Sequence, residues 1–512
     1  MTRLVVAQLS ARSPGSRLAR WRVAASALRL ITLAAPAVAH AQPSRATADW
    51  TAFEQSVAGE MAARGIPGVV VVVANARRVV YANAFGVGDA ATRAPLSTAT
   101  RFQVGSITKT FTALLALQMA ARQIVSLDAP IGGALPSLRP ALAALTLRDL
   151  LQQRSGLRDV PGDDGPDDES QLAAWTSALG DTMRMLPTGA VFSYSNAGYA
   201  LAGAALESWG KQPFADLLRT HVFAPLGMAA STMRPSEALT GAHATGHVGP
   251  PGTAGVPAVD VANDTRLWPS GYAWSSGDDM GRFLIAIVAD GRLRAADGLY
   301  RGVVDSALAP GIDVPGLANN AQYGSGVFVD RTADGVRVWH PGGVTGFSAL
   351  WRAIPASRVA VAILTNRDGV RLDALADEAL SNAIGSRPPN ARGRAARSAP
   401  RPPGDRRRNG AVEATPRRGD ARGTDAGTTI PRDAARLIEG TYVGRFPLEL
   451  RWTNSALHLV RLGDTLRVTA LGGDRYRVHP PGEAAPDEFI VVPPRDGHPG
   501  FIQMFLWAFV RR

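Results

Sequence analysis

One segment, residues 387–432, constrains the fold of this chain more than any other feature. Arg, Pro, Gly and Ala dominate it, and between Arg387 and Thr429 the one large apolar side chain is Val412. A composition of this kind cannot bury a core, so it predicts a disordered linker. The chain is therefore expected to fold as two units, residues 42–386 before the linker and residues 433–512 after it.

The net charge of +12 is concentrated outside the predicted folded units. Residues 1–41 carry six arginines and no acidic side chain, and residues 387–432 carry twelve arginines against four acidic residues. What remains is close to neutral, which removes the electrostatic basis for nucleic-acid binding by the folded parts. We therefore predict no nucleic-acid partner.

Residues 1–41 have the features of an export signal. Arginines precede the apolar stretch Val23–Val38, and Ala39-His40-Ala41 is a small-x-small cleavage site. Arg29 interrupts the apolar stretch, so either the signal is atypical or the true translation start lies downstream. The uninterrupted run is too short to cross a bilayer. We expect a periplasmic or secreted protein with no stable membrane span after signal removal.

Hydrophobic periodicity predicts an α+β fold for residues 42–386. A helix over Thr51–Arg64 leads into a β-hairpin, and residues 140–290 are mostly helical. Strand patterns then return, and a last helix follows over Leu372–Ile384. The hairpin runs and later strands are predicted at Val69–Val73, Val79–Phe85, Tyr323–Val329, Val336–His340, Phe347–Ile354 and Val359–Thr365. This order predicts an antiparallel sheet flanked by helices, with a helical subdomain inserted between its strands.

Residues 433–512 read as short strands separated by Gly, Pro and Asp turns, which predicts a small all-β barrel. The predicted strands are Thr441–Phe446, Leu448–Trp452, Leu457–Leu462, Thr465–Leu471, Tyr476–Val478, Phe489–Val492 and Ile502–Val510.

The scarcity of lysine points to the chemistry. The chain has two lysines against 53 arginines, and Lys109 follows Ser106 by three residues at the start of a predicted helix that reaches about Gln123. Residues i and i+3 share one helix face. Arginine cannot lose its proton in a protein, whereas a desolvated lysine can and then acts as a base. The pair therefore predicts a serine nucleophile with its activator.

Two further segments carry polar groups that could face the same cleft. Tyr194 and Asn196 lie two residues apart in a glycine-flanked loop, so a phenol and an amide would project together. His340 ends a strand pattern and is followed by Pro341 and then by Gly342 and Gly343. Glycines at that position allow an acyl substrate to approach the strand backbone, where an N–H can face an oxyanion.

With these motifs the chain resembles the serine β-lactamase-like and penicillin-binding-protein family, in particular its class C-like branch of esterases and D-amino-acid peptidases. The resemblance covers roughly residues 50–385, and residues 433–512 resemble the lipocalin-like β-domains appended to some members. The segments that carry it are Phe102 to Ala113, Leu150 to Leu157, Tyr194 to Asn196, Pro225 to Met228, Tyr323 to Gly326 and His340 to Phe347.

The resemblance implies a role for each motif. Ser106 would be acylated, Lys109 would be its base, and Tyr194 would carry the proton to the leaving group. Asn196 would orient Lys109 or the substrate amide, and the N–H groups of Ser106 and Gly343 would form the oxyanion hole. For Lys109 to act at neutral pH, its pKa would have to fall from about 10.4 to near 7, a destabilisation of the ammonium by roughly 4 kcal/mol.

One departure from the family pattern bears on the substrate. His340 stands where a K-T-G motif would place a lysine, and histidine is only partly charged near neutral pH. This favours esters, amides or D-amino-acid peptides over β-lactams, with a β-lactamase or D,D-carboxypeptidase as the alternative. The alternative from another class is a non-catalytic peptidoglycan-binding or regulatory homologue.

Cofactors and metals are not expected. The chain has no cysteine, which excludes disulfides and thiolate metal sites. His243 and His247 have H-x-x-x-H spacing but no nearby glutamate, and are interpreted as part of a solvated loop. The expected partner is a small-molecule or peptide acyl substrate, with cell-wall peptides among the candidates.

Overall fold

The structure is a computed structural model that describes two ranges of the chain. These are residues 49–385 without 161, 163, 251, 290–298, 316 and 334, and residues 428–511 without 444, 446, 480–486, 493–499 and 505. The predicted export signal and nearly all of the predicted linker lie outside the described residues. Among the described helices, none is long and apolar enough to cross a membrane.

The first described helix packs on a valine-rich strand. Helix α1 ends at Gly65, whose left-handed backbone (φ +62°) lets its N–H reach the carbonyl of Met61. Strand β1 then carries five consecutive valines, which are all buried. Val69, Val71 and Val73 belong to the core below the sheet, whereas Val70 and Val72 belong to the core above it. Alternation along one strand therefore places β1 in the middle layer of three.

Nine of the described strands form one antiparallel sheet in the order β3-β2-β1-β13-β12-β11-β10-β9-β8. Strands β4 and β7 pair separately, as do β5 and β6. The bounds are β1 Gly68–Asn75, β2 Val79–Asp89, β3 Ala94–Pro95, β4 Arg101–Gln103, β5 His247–Val248, β6 Val256–Pro257, β7 Trp274–Ser276, β8 Ile312–Asp313, β9 Gln322–Tyr323, β10 Phe328–Thr332, β11 Gly335–Val344, β12 Phe347–Ile354 and β13 Val359–Thr365.

Helices cover both faces of this sheet. Helices α1 and α11 pack on one face, while α9 packs on the other together with the helical subdomain, which the chain builds between β3 and β8. The bounds are α1 Thr51–Arg64, α2 Thr108–Ala121, α3 Pro140–Ala143, α4 Leu147–Leu151, α5 Gln171–Ser177, α6 Asn196–Gly210, α7 Phe214–Leu218, α8 Pro235–Ala238, α9 Gly277–Val288, α10 Val303–Leu308 and α11 Asp373–Ile384. The predicted α+β fold with a helical insertion is confirmed.

The C-terminal region is a closed barrel of the eight strands described there. A short helix, α12 (Arg432–Ile438), leads into it, and Ile430 already packs in the barrel core. The last residues of the predicted linker therefore belong to the barrel. The strands are β14 Gly440–Val443, β15 Pro447–Thr453, β16 Ala456–Arg461, β17 Asp464–Gly472, β18 Arg475–His479, β19 Asp487–Val492, β20 Phe501–Met504 and β21 Trp507–Arg511.

Two predicted strands are each divided by a turn. The run Tyr323–Val329 contains the end of β9, a turn through Gly326 (φ +75°), and the start of β10. The run Ile502–Val510 contains β20, the turn at Leu506, and β21. The first turn has a sequence signal in Gly324-Ser325-Gly326, whereas the second is hidden by the apolar residues around Leu506. The second of these turns lies at the active-site cleft.

Candidate active site

The nucleophile candidate Ser106 lies on a single 3₁₀ turn, Gly105–Ile107, that leads directly into α2. Gly105 has a left-handed backbone (φ +53°), and the Thr108 hydroxyl donates a 2.7 Å hydrogen bond to its carbonyl. Ser106 is partly exposed, although the residues on either side of it are buried. The turn therefore presents one hydroxyl to solvent from an otherwise buried segment.

Lys109 points its amine at that hydroxyl from inside the protein. Its side chain is completely buried, and Nζ lies 3.1 Å from Ser106 Oγ. Nζ also donates to Asn196 Oδ1 (2.7 Å) and to the carbonyl of Ser270 (2.6 Å). The ring of Tyr194 lies 4.6 Å from Nζ. Three polar partners therefore hold the amine beside the serine.

Burial lowers the pKa of Lys109 to about 7, while the negative charge of Asp159 raises it and the positive charge of Arg445 lowers it. Desolvation penalises the ammonium and so favours the neutral amine. With a pKa near the working pH, a large share of the lysine can accept a proton from Ser106. This is the value that base catalysis at this position requires.

Tyr194 and Asn196 reach the cleft from the N-terminus of α6. Ser195 is the N-cap of this helix, and its Oγ accepts from Gly198 N at 3.1 Å. Because neighbouring residues in the extended cap segment point to opposite sides, Ser195 faces inward while Tyr194 and Asn196 face the cleft. Burial raises the pKa of the Tyr194 phenol well above its usual value, and a hydrogen bond with Ser106 opposes this. Tyr194 is therefore a neutral phenol at neutral pH, which leaves Lys109 as the available base.

Strand β11 passes very close to the nucleophile turn, which glycine makes possible. A Cβ on Gly342 would lie 1.9 Å from the carbonyl oxygen of Val104, and a Cβ on Gly105 would lie 2.5 Å from Gly343 N. No larger residue fits either position without moving backbone. Gly343 is exposed, and a Cβ there would meet nothing within 4 Å. Its backbone therefore borders both open cleft and the turn that carries Ser106.

His340 differs from the expectation that it faces the substrate as a partial positive charge. The side chain is fully buried, Nδ1 lies 2.6 Å from the carbonyl of Pro341, and Nε2 lies 3.0 Å from the hydroxyl of Tyr323. Since a carbonyl only accepts, Nδ1 carries the proton and Nε2 accepts from Tyr323. Burial, followed by the nearby charge of Lys109, lowers the pKa of His340 to about 3. The ring is neutral and has no free nitrogen for a substrate carboxylate.

Gln153, for which the sequence indicates no role, holds the segment around Tyr194 from the side away from the cleft. Its carbonyl accepts from Ser193 N at 2.9 Å, and its Oε1 accepts from Ser195 N at 2.8 Å. Gln153 is fully buried and has a left-handed backbone (φ 56°). Its sequence signal is its place in the segment Leu150 to Leu157, which carries part of the family resemblance.

Asp159, which belongs to none of the predicted motifs, joins the site to the barrel. Its Oδ1 accepts from Asn196 N at 2.7 Å. Its Oδ2 accepts from Arg445 Nη1 and from Trp507 Nε1, each at 2.9 Å. The barrel turn also reaches the catalytic segment directly, because Leu506 O accepts from Tyr194 N at 2.9 Å. No local pattern in the sequence could place these residues together.

His247 is buried rather than part of a solvated loop, so that interpretation was wrong for this residue. Its Nδ1 lies 3.0 Å from the carbonyl of Asn366, and its Nε2 accepts from Ala90 N at 3.1 Å. Both nitrogens serve to tie β5 to the sheet. Among the described residues, no cluster of three or more His, Cys, Asp or Glu side chains could hold a metal ion.

These groups line a cleft of about 690 Å³. Ser106, Tyr194 and Asn196 lie at its base, and the segment Gly342 to Thr345 forms one wall. Arg445 and Trp507 of the barrel form part of the rim. Six of the seven predicted site residues line this cleft, and the seventh, Lys109, is buried behind Ser106. A serine beside a buried lysine of lowered pKa, with a backbone wall next to the serine, is an arrangement suited to a serine hydrolase.

The chain belongs to the β-lactamase family, whose sequence profile it matches over residues 53–384. It is 31% identical over 294 residues to "Penicillin-binding protein 4" of Amycolatopsis lactamdurans. The aligned region covers 55% of this chain and 76% of that protein. The membership confirms the predicted family and the predicted serine hydrolase class.

Solved structures extend the likeness to the whole fold. A protein described as SurE superposes with a TM-score of 0.68 at 24% identity over 90% of this chain and 97% of its own. That share is larger than the family domain alone, so the fold with an appended barrel is shared. A D-stereospecific amidohydrolase from Streptomyces sp. gives a TM-score of 0.52 at 25% identity over 65% of this chain and 98% of its own.

Proposed function

We propose that this protein is an acyl-enzyme hydrolase for esters, amides or D-amino-acid peptides, with Ser106 as nucleophile and Lys109 as base. The observation that carries the proposal is the 3.1 Å approach of Lys109 Nζ to Ser106 Oγ in a site where burial brings the pKa of the lysine to about 7. A structural lysine would be paired with a carboxylate, whereas this one donates to an amide oxygen and a carbonyl.

The reaction follows from the positions of these groups. Lys109 takes the proton as Ser106 Oγ attacks the carbonyl carbon, and the N–H groups of Ser106 and Gly343 receive the developing oxyanion. The Tyr194 phenol gives its proton to the departing oxygen or nitrogen and takes one from the Lys109 ammonium. Water then attacks the acyl carbon and gives a proton to Lys109 by way of Tyr194. That proton returns to Ser106 Oγ as the acid is released. Asn196 keeps Lys109 aimed at the serine throughout.

The substrate class rests on the charges of the cleft. Among the described residues, the cations that line it are Arg371, which is exposed at the rim, and Arg445, which already pairs with Asp159. His340 is neutral. A substrate carboxylate next to the scissile bond therefore has no cation beside Ser106, which disfavours β-lactams and C-terminal D,D-dipeptides. The D-stereospecific amidohydrolase among the structural relatives supports amides of D-amino acids as the leading candidates.

Covalent labelling of Ser106 tests the mechanism. The intact mass of the protein is measured after exposure to a fluorophosphonate and, separately, to a penicillin. We expect one fluorophosphonate adduct on the wild type and none on Ser106→Ala. No adduct with any acylating probe would favour the non-catalytic peptidoglycan-binding alternative.

Turnover of matched substrates tests the class. The panel contains p-nitrophenyl esters, D- and L-alanine p-nitroanilides, nitrocefin and D-Ala-D-Ala peptides. We expect esters and D-anilides to be hydrolysed faster than nitrocefin and the dipeptides. Faster turnover of nitrocefin would favour the β-lactamase alternative.

We also propose that the enzyme acts outside the cytoplasm, on the strength of the signal-like segment at residues 1–41. N-terminal sequencing of the protein recovered from the periplasm or medium of an expressing Gram-negative cell is expected to begin at Gln42. Retention of the full chain in the cytoplasm would contradict this.

A further inference from the structure

The barrel contacts the catalytic segment through an apolar interface. The hydrolase domain and the barrel, as far as the structure describes them, belong to one compact unit. Within it, Leu186 and Val191 of the hydrolase domain share a buried cluster with Phe501 and Ala508 of the barrel. The turn between β20 and β21 continues this interface into the cleft, where Leu506 O accepts from Tyr194 N. The docked barrel thereby completes the backbone hydrogen bonding of the loop that carries the phenol.

Asp159 is the polar centre of this interface, and its side chain is fully buried. Both carboxylate oxygens are engaged. The hydrolase domain supplies one donor, Asn196 N, and the barrel supplies two, Arg445 Nη1 and Trp507 Nε1. The Arg445 guanidinium also lies 4.7 Å from the centre of the Trp507 ring. A buried carboxylate of this kind is stable only when its partners are in place.

Asp159 and Arg445 are also the charged groups that act on the amine of Lys109 in the described structure. The other titratable groups that face the amine are neutral. They are the phenols of Tyr194 and Tyr199, whose pKa values burial raises, and His340, whose pKa burial lowers. Burial likewise raises the pKa of Asp159, and Arg445 opposes that rise. The carboxylate and the guanidinium therefore act in opposite directions on the same base.

We propose that Arg445 is a positioning residue that the barrel delivers to the active site, where it neutralises Asp159 so that Lys109 remains free to take the proton of Ser106. This inference rests on the proposed function, since it concerns the base of that same reaction. It makes the barrel part of the proton-transfer apparatus rather than an appended module. Substrate turnover would then require the barrel to be docked.

The effect of removing Arg445 follows from the net charge of the buried site. With arginine present, neutral Lys109 and ionised Asp159 leave no net charge among the three groups. Without it, the same protonation state leaves one uncompensated buried anion. The ammonium of Lys109 is then stabilised by the ionised Asp159 and loses its proton only at higher pH. An opposite charge of this kind raises the pKa of the pair's last proton by about one unit or more. The amine becomes available only in more alkaline solution.

The test measures the second-order rate of Ser106 modification by a fluorophosphonate between pH 5.5 and 9.5. This probe carries no ionisable group, so its pH profile reports the free enzyme. The variants are Arg445→Gln, Arg445→Lys, and the double variant Arg445→Gln with Asp159→Asn. The acid limb is the part of the profile in which the rate falls as the pH is lowered and the base is protonated. We expect its midpoint near pH 7 in the wild type and in Arg445→Lys, and about one pH unit higher in Arg445→Gln. At pH 6 this is about a tenfold loss, with recovery near pH 9. The double variant, which lacks both charges, is expected to return toward the wild-type limb.

Two other results would overturn the inference. If Arg445→Gln loses the same factor at every pH, Arg445 is merely structural and the inference is overturned. It is equally overturned if the double variant keeps the displaced limb. Recovery at alkaline pH shows at the same time that the single variant is folded and docked. A wild-type protein that forms no adduct would overturn the proposed function, and this inference with it, whereas a normal wild-type adduct with an unmoved limb in Arg445→Gln would overturn the inference alone.

Discussion

The hydrolase domain and the barrel reach the same cleft in different ways. Ser106 and Lys109 come from one turn and the helix that continues it, so their spacing is set by the helix period. Arg445 lies between β14 and β15 of the barrel, and Trp507 begins β21. Both reach the cleft through Asp159, which is far away in the sequence. The reacting groups therefore depend on local structure, while the groups that adjust them depend on domain docking. Changes to the first kind should abolish the reaction, and changes to the second should modulate it.

The largest effect is expected from Lys109→Arg. The charge is preserved, but arginine cannot accept the proton of Ser106. We expect turnover to fall by about a thousandfold or more, within the range that loss of base catalysis gives. The matched control is Lys211→Arg at the C-terminus of α6, which should keep wild-type turnover. Near-normal turnover by Lys109→Arg would exclude Lys109 as the base.

The second prediction concerns the unfolding free energy of the protein, which the burial of Lys109 lowers. The pKa of Lys109 is lowered from 10.5 to about 7 by burial. Because the folded value is the lower one, the wild type loses stability as the pH falls from about 10.5 to about 7, and the loss is complete below that. Lys109→Met removes this cost, so its gain in unfolding free energy relative to wild type should be larger at pH 6 than at pH 9.5 by about 3 kcal/mol.

Urea unfolding at the two pH values measures this difference, with Lys211→Met as the control. The loss of the hydrogen bonds to Asn196 and Ser270 lowers the gain equally at both pH values. The comparison between them therefore isolates the proton. A difference between Lys109→Met and wild type that does not change with pH would contradict the buried neutral amine.

The third prediction separates two adjacent glycines on β11. A methyl group at Gly342 would lie 1.9 Å from Val104 O and must displace the turn that carries Ser106. We expect Gly342→Ala to lower stability by about 2 kcal/mol, as overpacking does, and to reduce turnover with it. At Gly343 the same methyl group has open space. Gly343→Ala should keep the wild-type melting temperature and lose turnover only by obstructing the cleft. Equal destabilisation by both changes would argue against the close approach of β11 to the turn.

The same contrast explains how much the sequence could predict. Helix α1, strands β12 and β13, and the Ser106 to Lys109 pair follow from local patterns, and the structure has them at the predicted residues. The fold class followed from their order. The state of His340 could not be predicted, because its charge depends on burial and on the nearby Lys109, which lies far away in the sequence. Gln153, with its left-handed backbone, and Asp159 carry no periodicity, so their contacts emerge only in the folded chain.

The smallest effect is expected from Trp507→Phe, which tests the barrel side of the comparison. The change keeps an aromatic ring beside Arg445 and removes only the N–H that Asp159 Oδ2 accepts at 2.9 Å. A hydrogen bond to a charged group contributes about 1.5–3 kcal/mol. Arg445 continues to hold the same oxygen, however, so we expect only the lower part of that range, or about a tenfold loss of turnover.

The position of the acid limb separates the two possible origins of that loss. Because Trp507→Phe leaves the charge of Arg445 in place, the limb should move much less than in Arg445→Gln. Trp507→Ala, which also removes the ring beside the guanidinium, should move it further. A loss as complete as that of Lys109→Arg would show that the barrel supplies a group as necessary as the base, and the distinction between reacting and adjusting groups would fail.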